Sequence, residues 1–306
     1  MPLIFRRLAA IPPLVVLIAS LAFFLVRVAP GGPFDRERKS ASPEIERQLM
    51  QRYHLDEPLW QQYGRFLAGV FRGDLGPSLK YRNHSVTDII AQGLPVSLTL
   101  GLLAFGFALG IGIPTGFCTA VWRGQWADWG ISLLVLLAIC VPGFVIGPVL
   151  VLVFGLKLGW FPVGLWGSPL HAVLPMVTLG LYFAGRIARL MREGMMQTLQ
   201  SEFIQTARAK GLSELRVLLK HAFRPAVLPV LSYSGPMLAD LLTGSFVVEN
   251  IFQVPGIGVF LVNSSINRDY PMTIGLVMLY AILLLGLNMV VDFSYGLLDP
   301  RTKSSQ

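Results

Sequence analysis

Residues 94–121 carry no charged side chain over 28 positions, residues 130–156 none over 27, and residues 272–291 none over 20. A helix rises about 1.5 Å per residue, so each run reaches across roughly 30 Å of bilayer hydrocarbon, the longer ones tilted. Three further runs extend the pattern. Residues 8–26 are uncharged behind Arg6 and Arg7, residues 170–190 include His171, Arg186 and Arg189, and residues 225–248 include Asp240. Only 14% of the chain is charged and 54% is hydrophobic, whereas a soluble domain carries about a quarter charged residues. The expected fold is all-α and integral to a membrane, with six spans and both termini on one side.

The first run competes with a signal peptide, whose apolar region is normally about 7–15 residues and ends at a small-residue cleavage site. Arg27 and Pro30 crowd that place here, so a retained span is the reading. Two arginines before it favour a cytoplasmic N-terminus. The loop at 186–225 then also lies inside, with eight Lys/Arg against three acids, while the short outer loops hold only Lys157 and Arg268. The net charge of +8 therefore sits in the inner loops, which argues for membrane orientation over nucleic acid. Cys118 and Cys140 fall inside apolar runs and read as small hydrophobes.

Residues 30–93 form a polar segment, nearly neutral with nine Lys/Arg and eight Asp/Glu, and expected outside. It divides the chain into 1–93, a first span with its external segment, and 94–306, a core of five spans. Pro43 and Pro58 read as first-turn prolines of helices. After Pro58, the helical stripe Trp60, Tyr63, Leu67 and Phe71 suits either the membrane surface or ligand stacking. Gly101, Gly106, Gly110, Gly112 and Gly116 favour close helix packing in lipid. Pro114, Pro142, Pro148 and Pro175 are expected to kink their helices.

Inside the basic loop, Ser201 is placed to cap a short helix running to Lys210, and Gly211 to end it. Ser213 is placed to cap a second helix with Leu215, Leu218 and Leu219 on one side. Such an elbow is either an ordinary connector or a docking element for a groove on a partner. The residues "TARAKGLSELRVLLKHAFRPAVLP" (206–229) resemble the ATPase-docking loop of ABC importer permeases, in the dipeptide/oligopeptide branch. The family pattern is Glu-Ala-Ala, three residues, then Gly. Gln205, Thr206 and Ala207 stand at the first three positions, followed by Arg208, Ala209, Lys210, then Gly211 and Leu212. Gln205 and Thr206 depart from the general pattern in the way this branch usually does.

"RVAPGGPF" (27–34) and "GDLGPSLKYRNHSV" (73–86) resemble oligopeptide permeases, closest to their B-type membrane subunit. "GSFVVENIFQVPGIG" (244–258) and "NRDYP" (267–271) resemble a further permease pattern, in which a short re-entrant external element joins the last two spans. Read on residues alone, that stretch is an apolar strip ending at Glu249, then an external loop turning at Pro255 and Gly256, with Gly258 beyond. The loop continues through Arg268 and Asp269.

No G-x-x-x-x-G-K-[ST], H-E-x-x-H or nucleophile elbow occurs, and the four histidines are scattered. The chain reads as a non-enzyme without a metal or cofactor of its own. The resemblance implies the type I importer permease fold and import of oligopeptides by alternating access. It also implies partners: a second homologous permease, two cytoplasmic ATPases holding ATP and Mg, and an external peptide-binding protein. It implies the bacterial inner membrane. Dipeptide, glutathione, nickel and antimicrobial-peptide permeases share these motifs. A secondary transporter is the alternative of another class, but only Asp240 lies well inside a span as an acid. Asp240 itself either lines the path or pairs with the second permease.

Overall fold

The computed structural model describes residues 2–28, 50–51, 53–81, 84–243 and 246–298. Pro43 lies outside them. Among the described residues the regular structure is helical, apart from one isolated bridge between Pro77 and Ser85. The helices are α1 (Pro2–Val28), α2 (Leu59–Phe71), α3 (Val86–Val121), α4 (Trp126–Cys140), α5 (Gly143–Leu150), α6 (Pro169–Leu199) and α7 (Glu202–Ala209). There follow α8 (Glu214–Arg216), α9 (Phe223–Ala226), α10 (Leu228–Thr243), α11 (Phe246–Ile251), α12 (Ile257–Asn267) and α13 (Tyr270–Leu298). π-helical turns occupy Val151–Lys157 and Val217–Ala222.

The six apolar runs are helical, but two of them are not single straight spans. Four helices are long and apolar enough to cross a membrane: Ala9–Val28, Val86–Val121, Pro169–Leu199 and Tyr270–Met289. The run at 130–156 is instead bent by 110° between Trp126–Cys140 and Gly143–Lys157. Pro142 lacks an N–H for the ladder and pushes Val141 out of the helical region, to ψ 121°. The run at 225–248 is divided too, by a turn at Val227 between Phe223–Ala226 and the helix that begins at Leu228. Helix α3 begins at Val86, inside the polar segment 30–93.

The chain divides into two compact units, one made of Met1–Ser97 with Pro255–Met289 and the other of Leu98–Val254 with Val290–Gln306. In the first, Val15, Ala19, Ala22 and Phe23 form the buried stripe of α1 and meet Ile274 and Met278 of α13. Helix α2 closes this cluster with Tyr63, Phe66 and Val70. The Phe23 ring lies 5.4 Å from Phe66 and 5.3 Å from Tyr63, and Tyr63 shares a 2.7 Å hydrogen bond with Ser20. The stripe on α2 is thus divided between this cluster and the outer surface. Trp60 and Phe71 are 72% and 78% exposed, because α1 offers Phe23 and Ser20 to the neighbouring face. Pro58 is the residue before the first turn, not within it.

Within the same unit α12 is 11 residues long, too short to cross a bilayer. Two contacts fix it. The Ile257 N–H donates to Ser97 Oγ at 2.9 Å, and a Cβ on Gly93 would stand 3.3 Å from the Ile257 nitrogen. Asp269 then ties the α12–α13 junction to residues 78–80. Its carboxylate accepts from the Ser78 hydroxyl, from the N–H of Leu79 (3.1 Å) and Lys80 (3.3 Å), and from the N–H of Met272 (3.3 Å). A buried carboxylate is stable when hydrogen bonds replace its water in this way.

The second unit is built around α6. Gly180 faces the Ala104 carbonyl of α3, Gly185 faces Val135 and Ile139 of α4, and Gly194 abuts the Ala226 carbonyl. From α3, Gly112 meets Ala184 and Ile187, while Gly116 meets the Ala188 carbonyl and Met191. Small residues four apart on both helices let the backbones touch, which is how helices associate where the solvent is itself apolar. Arg192 of α6 also grips the nearly buried Asp128 at the start of α4, through both guanidinium ends. Ser132 Oγ and the Gly124 N–H complete the carboxylate's shell at 3.1 and 3.0 Å.

Candidate coupling elbow and translocation surface

Gly211 ends α7 in the left-handed region at φ +76°. Its N–H donates to the Arg208 carbonyl at 2.9 Å, and the Leu212 N–H reaches back to the Ala207 carbonyl at 3.4 Å. These two bonds form a Schellman turn, which satisfies carbonyls that the helix end would otherwise leave open. Arg208 and Glu214 bridge the turn with bonds of 3.1 and 2.6 Å. The hydrogen bond from Arg208 holds the Glu214 carboxyl below its ordinary range, and the same bond raises the guanidinium of Arg208. Both side chains are well exposed, so water screens the pair and its net worth is about 0–1 kcal/mol.

The elbow is anchored from beneath. Ile204, Ala207, Val217 and Ala222 are buried in the cluster that includes Ile187, Met191 and Met195 of α6, and Leu212 packs against it. Ser201 and Ser213 occupy the expected N-cap positions, but neither makes a side-chain cap bond. Ser201 Oγ bonds back to the Thr198 carbonyl at 2.6 Å instead. The second face differs from expectation as well. The π-helical turns bury Val217 and Ala222, five residues apart, and leave Leu215 and Leu219 exposed at 67% and 53%. The Val/Ala pair at that spacing was the missed signal, because a π turn joins residues five apart by its hydrogen bonds. With Phe203, 49% exposed, the elbow presents apolar side chains on a surface that also carries Gln205, Thr206, Arg208, Ala209 and Lys210.

The residues expected along the external loop and path fall in both units, Asp240 and Glu249 in the second and the others in the first. Asp240 is exposed on α10. Glu249 and Asp269 are each 1% exposed. Pro255 is exposed, while Gly256 and Gly258 are buried beside Ile257. Arg268 ends α12 in the left-handed region at φ 57°. The structure brings the Pro-Gly turn to Gly93 and Ser97, and Asp269 to Ser78. The roles of Ser78 and Ser97 had no sequence signal, since serines in polar or apolar surroundings are unremarkable until their partners are known.

Comparison with known proteins decides the family. The model for "Binding-protein-dependent transport system inner membrane component" matches residues 112–304. The chain is 42% identical to the oligopeptide transport system permease protein OppB of Haemophilus influenzae over 302 residues, 98% of each chain. It belongs to this permease family. The OppB of Escherichia coli K12 is also 42% identical, over 97% of each chain. The dipeptide transport system permease protein DppB of Bacillus subtilis is 39% identical over 97% of this chain and 96% of its own. Among solved structures, the inward-facing MetNI methionine ABC transporter matches with a TM-score of 0.57 at 19% identity. That match covers 69% of this chain and 96% of the other. An amino acid ABC transporter with histidines gives 0.52 at 17%, over 68% and 92%. At these identities the two structures bear on the fold alone. The chain is thus an ABC importer permease by family and fold, and the elbow and the bent α4–α5 pair are features of its membrane component.

Proposed function

We propose that this permease is one of two membrane subunits of an ATP-driven importer that carries oligopeptides into the cytoplasm by alternating access. The observation that carries the reading is 42% identity to oligopeptide permeases across 98% of the chain. Its partners in this reading are a second homologous permease, two cytoplasmic ATPases that hold ATP and Mg, and an external peptide-binding protein. The chain sits in the inner membrane with both termini in the cytoplasm. The elbow at 205–212 couples it to the ATPases. Anchored by Ile204 and Ala207 and exposing Phe203, Leu215 and Leu219, it suits a groove lined with apolar side chains. Closure of the ATPase dimer on nucleotide favours one arrangement of the spans by differential binding, which is the only way nucleotide can shift them. Asp240, exposed on α10, lines the path of the cargo. A dipeptide cargo is the second reading, supported by the 39% identity to the Bacillus subtilis protein.

Thiol labelling tests the arrangement. In a chain freed of Cys118 and Cys140, a cysteine replacing Gln61 should react with a membrane-impermeant reagent in spheroplasts, and one replacing Ser213 should not. In inside-out vesicles Ser213→Cys should react, and bound ATPase subunits should protect it. Labelling of Ser213→Cys in intact spheroplasts would invert the topology, and absence of protection would remove the docking role.

A further inference from the structure

Arg186 and Asp240 are charged side chains on helices of largely apolar runs. Both are exposed on the chain's own surface, on α6 and α10. Neither belongs to an ion pair among the described residues. Arg186 stands 17 residues into α6, about 26 Å along it, where the apolar run 170–190 meets the basic loop that begins at 186. A charge in that position is costly against lipid and is normally turned toward a wet cavity, a partner or cargo.

Arg186 is also held in a built seat. Its guanidinium donates to the Tyr182 hydroxyl at 3.0 Å. It lies 5.7 Å from the centroid of that ring and 5.3 Å from that of Tyr233 on α10. Two aromatic faces steady the cation without neutralising it. A guanidinium has five N–H donors, and the tyrosines occupy at most two, so the fork for a carboxylate remains open. Asp240 lies two turns beyond Tyr233 on α10, on the same face and within its electrostatic reach.

We propose that Arg186, seated between Tyr182 and Tyr233, receives the acidic side chains of peptides on the translocation surface, while Asp240 receives the basic ones. The cargo is then read by the charge of its side chains, after release by the binding protein. This rests on the peptide-permease reading above. A simple partner acid from the second permease would satisfy Arg186 equally well in charge, and the test separates the two.

The complete transporter, with its binding protein, is reconstituted in vesicles, and uptake of Ala-Glu-Ala, Ala-Ala-Ala and Ala-Lys-Ala is measured for the parent, Arg186→Gln, Arg186→Lys and Asp240→Asn. The variant-to-parent ratio for each peptide cancels the preference of the binding protein. Arg186→Gln should lower uptake of Ala-Glu-Ala by about tenfold, the scale of one charge-assisted hydrogen bond, and that of Ala-Lys-Ala least. Asp240→Asn should show the reverse order, and Arg186→Lys should keep the order of the parent. Equal ratios across the three peptides, no loss at all, or loss of the second permease on purification overturns the proposal. If the parent takes up none of the peptides, the peptide-permease reading itself fails.

Discussion

Gly211→Val should leave the permease in the membrane and abolish peptide uptake. The reason lies in the backbone. At φ +76° a Cβ on Gly211 meets nothing within 4 Å, so no clash with a neighbour is involved. A β-branched residue is a genuine outlier in left-handed conformation, and strain there is on the order of 1–3 kcal/mol. The chain relieves it by leaving the Schellman turn, which releases the bond from Leu212 to Ala207 and re-aims the helix carrying Leu215 and Leu219. Because Ile204 and Ala207 still anchor α7, folding survives while the docking surface is lost. ATPase activity should then cease to respond to the binding protein. Gly211→Asn should retain most uptake, since asparagine tolerates this conformation. Membrane content by immunoblot, uptake and stimulated ATPase activity are the readouts, and normal uptake by the valine variant would refute the docking role.

Gly116→Val should act at an earlier step, on the fold. A Cβ there would overlap the Ala188 carbonyl and stand 2.7 Å from Met191 Cβ. A backbone oxygen on a packed helix cannot swing away, so α3 and α6 must separate and lose the Gly112–Ala184 contact as well. Overpacking of this kind costs about 1–3 kcal/mol and occasionally more, a large share of a marginal stability. Gly110 on the same helix has nothing within 4 Å of its Cβ position, so Gly110→Val is the matched control. Thermal unfolding of the purified chain in detergent should show a clear loss for Gly116→Val and little change for Gly110→Val. Equal behaviour of the two would mean that the α3–α6 crossing is not as close as described.

The elements that follow from composition were legible in the residues. Uncharged runs such as 94–121 need no partner to identify them, and a glycine after a short helix announces its own turn at Gly211. Hydropathy, however, does not register backbone direction. The 110° bend at Val141–Pro142 is hidden inside an unbroken apolar run, where the proline signals a kink but not its size. On α2 the partner face of α1, with Ser20 and Phe23, decides that Tyr63 is covered while Trp60 and Phe71 stay exposed. Asp269 looked like an exposed loop acid. Its role depends on Ser78, 191 positions away in sequence, and no local pattern carries a pairing of that range. Asp128 and Arg192, 64 positions apart, are hidden for the same reason.

The central claim is that ATP in the cytoplasm drives a peptide through these spans by way of the elbow. Its most direct test is uptake of a labelled tripeptide by vesicles containing this chain, the second permease and both ATPases, with binding protein outside and Mg–ATP trapped inside. The account predicts accumulation that requires both ATP and the binding protein and disappears with Gly211→Val. Accumulation driven by a proton gradient without ATP, or unchanged by Gly211→Val, would contradict it.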